Sequence, residues 1–153
     1  TNETGNLVYL EHFDLKFHGT GNSATSEIRN VASKIVNYAI MTGKDIVIED
    51  LDFHKAKSET DEAKSEKGKE YNKMIHAFDY SRYKKSFENC CFRRDVNLIE
   101  VNPAYTSKIA KQKYCDKKKL VIHQGASYVI ARKGQGYVDK YIKPKKRKTK
   151  KSA

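Results

Sequence analysis

Cysteine is scarce in this chain of 153 residues. It occurs only at Cys90, Cys91 and Cys115, and no pair has the Cys-x-x-Cys spacing of a zinc ribbon. A disulfide framework and a cysteine-ligated zinc site are therefore excluded, and a reducing, cytoplasmic setting fits best. The adjacent Cys90 and Cys91 are expected to be small apolar residues on a helix.

Long apolar runs are also absent. Runs such as Ile46–Ile48 are far too short to cross a bilayer, and no signal-like apolar segment follows Thr1. The composition therefore predicts no membrane partner. The chain has room for one domain with a real core, but not for two. Because its first residue is Thr and not Met, we expect it to be a piece of a longer protein.

Acidic residues are too few to balance the basic ones. There are 19 Asp and Glu against 31 Lys and Arg, which gives a net charge of +12 and a pI near 9.5. No basic helix rich in Trp and Phe accompanies this excess, so a polyanion such as nucleic acid is a better partner than a membrane surface. A basic protein that is merely soluble is the alternative.

The spacing of apolar residues in the first third of the chain predicts strands and one helix. Two short strands, 7–9 and 13–17, come first. A helix with apolar residues at helical spacing follows and ends at Gly43, as expected for a glycine just past a helix. A further strand then ends at Glu49.

The remainder alternates in the same way. Segment 54–70 is nearly all Lys, Glu, Ser, Ala and Asp, which predicts a mobile helix or a disordered loop. Helical character resumes over 71–92, and a strand is predicted over 97–101. A short basic helix capped by Ser107 and a last helix that begins near His123 complete the pattern.

This order of elements predicts the fold class. It is that of an α/β, RNase H-like (RuvC-like) fold, in which a mixed sheet is flanked by helices, with the first strand missing. We expect one partial domain over 1–138 and a disordered basic tail over 139–153, with no acid from Lys140 onward.

The most informative stretch is Ile46–Asp50. Its β-branched apolar residues predict a strand buried on both faces, and this strand ends in two carboxylates. Because open α/β sheets assemble their sites at the carboxyl ends of strands, Glu49 or Asp50 is a candidate metal ligand. The alternative is an acidic residue that simply opens a loop.

Four segments, in a consistent order and spacing, carry a resemblance to a known family. They are 46–53 (IVIEDLDF), 71–74 (YNKM), 102–107 (NPAYTS) and 123–132 (HQGASYVIAR). Together they resemble the C-terminal part of TnpB-type nucleases, which are encoded by transposons, are related to type V CRISPR effectors and are built around a RuvC-like domain. The resemblance covers the chain from the first helix to about Tyr137.

The resemblance implies a reaction and its ligands. In that family three acids bind two Mg²⁺ ions, one stabilising the attacking oxygen and the other the leaving oxygen of a phosphodiester. It assigns the second acid to Glu49 and the first to a strand upstream of Thr1. The implied cofactor is Mg²⁺ or Mn²⁺, and the implied partners are DNA and a guide RNA. The family's zinc ribbon is replaced by the lysine-rich link 108–119, so no zinc is expected.

The chain departs from the family at the third acid. The family's motif Asp-x-Asn-Ala-Ala corresponds here to His123–Ser127, so His123 stands where the aspartate would be. An imidazole can hold a metal or position a water, although Mg²⁺ prefers oxygen ligands. On this interpretation His123 and Glu49 are the catalytic and metal-ligating candidates. On the alternative interpretation, the catalytic site has been lost and His123 is a capping or surface residue.

Two functions from different classes follow. The first is part of a transposon-associated nuclease that cuts DNA with a divalent metal. This fragment alone is then expected to be inactive, because one metal ligand is missing. The second is a catalytically inactive nucleic-acid-binding domain that keeps the RNase H-like fold. The sequence leaves the target sequence and the oligomeric state open.

The tail carries most of the candidate nucleic-acid contacts. Its Lys/Arg-rich run around Pro144 is typical of an unfolded arm that binds phosphates, and the alternative is a tail that only aids solubility. The candidate residues are Lys145, Lys146, Arg147, Lys148, Lys150 and Lys151, together with Arg132 in the last of the four segments.

Deleting everything after Tyr141 is expected to weaken binding equally for unrelated DNA sequences, because an unfolded arm has no geometry with which to read bases. Each lost phosphate contact should flatten the dependence of log affinity on log salt by about 0.9 on duplex DNA. Titrations of two unrelated duplexes at several salt concentrations measure this slope. Equal slopes for the full and shortened chains would show that the tail contacts no phosphate.

Overall fold

The computed structural model describes residues 1–13, 22–51 and 80–143. Two strands and a series of helices alternate along these residues. In chain order they are α1 (Asn22–Thr42), β1 (Ile46–Glu49), α2 (Tyr80–Arg93), β2 (Leu98–Val101), α3 (Thr106–Ala110), a π-helical turn (Lys111–Cys115), α4 (Asp116–Lys118) and α5 (Ile122–Gly134). The described part is therefore a mixed α/β fold with a small parallel sheet.

The two strands pair in parallel. Ile46 lies opposite Leu98, and Glu49 lies opposite Val101. The ladder continues past β1, because the Asp50 N–H donates to the Val101 carbonyl at 2.9 Å. Both strands therefore end at the same edge of the sheet, and the loops that follow them lie side by side.

One face of β1 belongs to the main core. Ile46 and Ile48 are buried there against α1 and α2, because alternate residues of a strand point to the same face. Cys91 lies in this core, as predicted for a small apolar residue. The buried members are Ala32, Val36, Ala39, Ile46, Ile48, Phe87 and Cys91.

The other face of β1 packs against α5. Val47 is half-buried there, and Gly134 lies so close to it that a Cβ on Gly134 would overlap the Val47 methyl groups. The strand is therefore enclosed between α1 and α2 on one side and α5 on the other. The strand predicted to be buried on both faces is therefore buried on one face and half-buried on the other.

The end of α1 also confirms the sequence interpretation. Gly43 has φ 61, a left-handed conformation that glycine adopts without steric penalty. The Gly43 N–H donates to the Ile40 carbonyl at 3.2 Å, and the Lys44 N–H donates to the Ala39 carbonyl at 2.9 Å. This pair of bonds is a Schellman motif, which ends the helix and directs the chain into β1.

Two local predictions are wrong. Residues 7–9 form no strand, because no described segment pairs with them and Val8 is 68% exposed. Ser107 does not cap the short basic helix, which begins at Thr106 after Tyr105 and continues through the π-helical turn to Lys118.

Several other predictions fall outside the described residues. They concern most of the strand over 13–17, the segment 54–70 that was predicted to be mobile, the part of the helix over 71–92 before residue 80, and the part of the basic tail over 139–153 from residue 144 onward. Within the described residues, no helix combines the length and apolarity needed to span a bilayer.

Replacing Gly134 by Ala tests the packing of α5 on β1. The new methyl group would lie 2.7 Å from Val47 Cγ1. We expect this overpacking to lower the free energy of unfolding by about 1–3 kcal/mol, even though alanine favours helix more than glycine does. Denaturant unfolding measures the change.

The matched control is the same substitution in a Val47→Ala background. Truncating Val47 removes its two methyl groups and leaves only its Cβ, 3.0 Å from the new methyl group, so Gly134→Ala should there destabilise clearly less than in the wild type. An equal loss in both backgrounds would mean that α5 does not pack on this face of β1.

Candidate functional site

A cleft of about 300 Å³ opens at the carboxyl end of β1, between α2 and α5. Val47–Glu49 and Leu51 line it from the strand, and residues of the two helices line its sides. Its polar and aromatic lining includes Glu49, Tyr80, Tyr83 and Ser127. A carboxylate thus lies in a cleft at the carboxyl end of a parallel strand, where α/β folds commonly bind ligands.

Glu49 is half-buried and has few hydrogen-bond donors. Its Oε1 accepts a bond from Thr106 Oγ1 at 3.3 Å, but the same hydroxyl lies 3.0 Å from the Pro103 carbonyl. A hydroxyl has one proton to donate, so it cannot fully satisfy both acceptors. Burial raises the pKa of Glu49, and the Thr106 bond and the charge of Lys133 only partly oppose this.

Tyr80 lies in the first turn of α2, and its side chain lines the cleft beside the end of β1. Its hydroxyl donates to the Glu49 carbonyl and accepts a long bond of 3.5 Å from the Leu51 N–H. Burial raises the pKa of Tyr80 and raises that of Tyr83 to about 12, so both phenols stay neutral at physiological pH. They shape the cleft without adding negative charge.

Lys133 brings a positive charge from α5 to the end of β2. Its Nζ donates to the carbonyls of Asn102 at 2.7 Å and Ala104 at 3.0 Å. The loop is itself fixed, because Asn102 Oδ1 accepts the Ala104 N–H at 2.7 Å. An ammonium has three donors, so these bonds leave one for a further acceptor such as a phosphate oxygen.

His123 lies on the first turn of α5 and is exposed. Its carbonyl accepts a bond from Ser127 Oγ at 3.0 Å, and Ser127 lines the cleft one turn further along. Residues four apart share a face of a helix and are separated by about 6 Å along its axis. His123 is therefore on the side of α5 that leads to Glu49, and its catalytic role stays a prediction.

Arg132 makes its contacts within the chain. Its Nε donates to Asp139 Oδ2 at 2.8 Å, and its Nη1 donates to the Gly5 carbonyl at 2.8 Å. The guanidinium also lies 4.4 Å from the centre of the Tyr137 ring. Its predicted role in nucleic-acid binding is not tested by these contacts, and the tail candidates lie outside the described residues.

The sequence interpretation missed the groups that surround Glu49. Thr106 belongs to the third quoted segment, but nothing in its neighbours indicated a contact 57 residues away. Tyr80 and Lys133 gave no local signal, because their partners are backbone carbonyls on other elements.

Glu49 fits a role as one ligand of a divalent cation. Mg²⁺ binds oxygen and is often held by one or two carboxylates together with substrate phosphates. A partly buried carboxylate with few donors supplies such an oxygen. Within the described ranges, no three His, Cys, Asp or Glu side chains cluster closely enough to form a complete site.

The raised pKa of Glu49 predicts a pH-dependent effect on stability. At a pH below the pKa that Glu49 has in the unfolded chain, the carboxyl is protonated in both the folded and the unfolded state, so it does not favour either. At a pH above the raised pKa of the folded state, the folded chain carries the full penalty of a buried charge. We therefore expect Glu49→Gln to raise the melting temperature at pH 7 by roughly 1–4 °C and to have no such effect near pH 3.

Thermal melts across this pH range measure the effect, and Asp50→Asn is the control because Asp50 is exposed. A melting temperature for Glu49→Gln that falls at pH 7 would mean that the carboxylate stabilises the fold.

Comparisons with protein-family models, with curated proteins and with solved structures find no match to this chain. The functional assignment therefore depends on its own residues: a half-buried carboxylate at the end of a parallel strand, in a chain with a net charge of +12.

Proposed function

We propose that this chain is the RuvC-like part of a TnpB-type, transposon-associated nuclease that cuts DNA by metal-dependent phosphodiester hydrolysis, guided by RNA. The observation that carries the proposal is the position of Glu49 in a cleft at the carboxyl end of β1. The proposal includes the RNase H-like fold, of which β1 and β2 would be two neighbouring strands.

The environment of Glu49 supports the metal role. Its carboxylate is half-buried, and the only hydrogen bond to it in the described part of the chain is shared with the Pro103 carbonyl. A divalent cation would remove the electrostatic cost that raises the pKa of this group. Mg²⁺ or Mn²⁺ bound there would supply the Lewis acidity that hydrolysis of a phosphodiester needs.

The chain's own groups have complementary tasks. Lys133 is held by two carbonyls and can direct its remaining donor at a phosphate oxygen. His123, on the same side of α5 as Ser127, would be a second ligand or would position a water. The charge of +12 would attract the DNA backbone to this surface.

A second candidate is a nucleic-acid-binding domain that does not cut. The observation that favours it is the charge of Lys133, which partly offsets the burial that raises the pKa of Glu49 and so acts on this carboxylate in the same direction as a metal would. In this case Glu49 would help to fix the loop after β2, and the cleft would bind phosphates without hydrolysing them.

Metal binding distinguishes the two candidates. If Glu49 is a ligand, millimolar Mn²⁺ should raise the melting temperature of the chain by about 1–3 °C, because a ligand that binds only the folded state stabilises it. Glu49→Gln should remove this increment, whereas Asp50→Asn should keep it. An increment that survives in Glu49→Gln would exclude Glu49 as a ligand, and no increment in the wild type would favour the binding domain.

We further expect the chain alone to leave plasmid and single-stranded DNA intact in the presence of Mg²⁺ or Mn²⁺. The resemblance assigns it only part of the ligand set, and Mg²⁺ requires near-ideal coordination. Gel assays over several hours measure cleavage. Cutting that is lost in Glu49→Gln would mean that a complete ligand set lies within these residues.

A further inference from the structure

Two tyrosines form an exposed stack next to the cleft. The rings of Tyr105 and Tyr141 lie 5.7 Å apart between centroids and are nearly parallel, with an angle of 11° between their planes. Tyr141 is the inner ring, because it packs on the buried cluster that contains Ile109 and Val129. Tyr105 stacks on Tyr141 and is the outer ring. Tyr105 itself is 52% exposed, which leaves much of its ring in water.

The inner ring of the stack is firmly positioned. Gln112, in the π-helical turn, donates to the Ile142 carbonyl at 2.9 Å and accepts the Ile142 N–H at 3.0 Å. On the other side of Tyr141, Asp139 is bonded by Tyr114 at 2.8 Å and by Arg132 at 2.8 Å. The segment that carries Tyr141 is therefore anchored on both sides of the ring.

The outer ring is held in a conformation that is rare for its residue type. Tyr105 has φ 64 and ψ 7, in the left-handed region that bulky residues seldom adopt. It precedes α3 without giving the helix a side-chain cap. Such strained residues concentrate at functional sites, where the surrounding structure keeps them in place.

A cation accompanies the stack. Lys108 Nζ lies 5.5 Å from the centre of the Tyr105 ring and 5.7 Å from that of Tyr141. Exposed Lys140 and Lys143 flank Tyr141 in the sequence. Aromatic faces beside lysines are the usual elements of sites that bind single-stranded nucleic acid, in which bases stack on rings and phosphates contact cations.

We propose that Tyr105, supported by Tyr141 and Lys108, is a stacking site for an unpaired base of single-stranded nucleic acid. A duplex does not fit this site, because its base faces are already stacked. The next residue, Thr106, bonds to Glu49, so a base that rests on Tyr105 would be bound close to the cleft. The inference rests on the nucleic-acid partner of the proposed function and not on its metal chemistry.

The absence of tryptophan from the chain allows a direct test. A Tyr105→Trp variant carries a single indole at the stack, and its fluorescence should be quenched when a twelve-nucleotide oligothymidylate binds. Phe92→Trp, at an aromatic position that is 89% exposed on α2, is the matched control and should keep its fluorescence.

Affinity gives a second measurement. Tyr105→Gly removes the ring but permits the same backbone conformation, so the variant should fold, which a thermal melt checks. We expect it to bind the oligothymidylate about fivefold to a hundredfold more weakly than the wild type and to bind a duplex of equal length within about twofold. Lys108→Gln should reduce the salt slope on the single strand by about 0.7.

The outcomes separate the two proposals. Unquenched Tyr105→Trp fluorescence in the bound complex, or unchanged affinity of Tyr105→Gly, would overturn the stacking site. Failure of the wild type to bind either oligonucleotide at low salt would overturn both the stacking site and the proposed function. Quenching at position 105, together with no Mn²⁺-dependent rise in the wild-type melting temperature, would support the stacking site and favour the binding domain that does not cut.

Discussion

The parallel pairing of β1 with β2 is the constraint on which the other features depend. Parallel strands end at one edge, so the pairing brings Glu49 beside Val101 and brings the loop after β2 to the same place. With Ile46 and Ile48 buried on one face, the alternation of the strand leaves Val47 and Glu49 on the other, against α5. A shift of one residue in register would exchange these two sets and place the carboxylate in the apolar core.

The negative charge of Glu49 is only partly compensated by the groups around the cleft. Glu49 is buried far enough for its pKa to rise, yet its bond from Thr106 is long and shared. Lys133 donates two hydrogen bonds to carbonyls of the loop after β2, which leaves one of its three donors for another acceptor. A half-buried carboxylate with so few donors is expected to reduce stability, and a bound cation would offset that cost.

A second network fixes the end of the described chain. Burial disfavours ionisation of Asp139, but bonds from Arg132, Tyr114 and Lys113 outweigh it and lower its pKa. Arg132 also donates to the Gly5 carbonyl, so one partly buried ion pair links the two ends of the described chain to α5. This network holds Tyr141 in position and thereby supports the exposed ring of Tyr105.

The sequence by itself determined the elements whose signals are local. Helical spacing and Gly43 defined α1, and the apolar run that ends in Glu49 defined β1. The surroundings of Glu49 were decided only by the tertiary structure, because Thr106 and Lys133 act through contacts between elements distant in sequence. Tyr105 shows the same limit: nothing in its residue type predicts a left-handed backbone or a ring that stacks on Tyr141, 36 residues further along the chain.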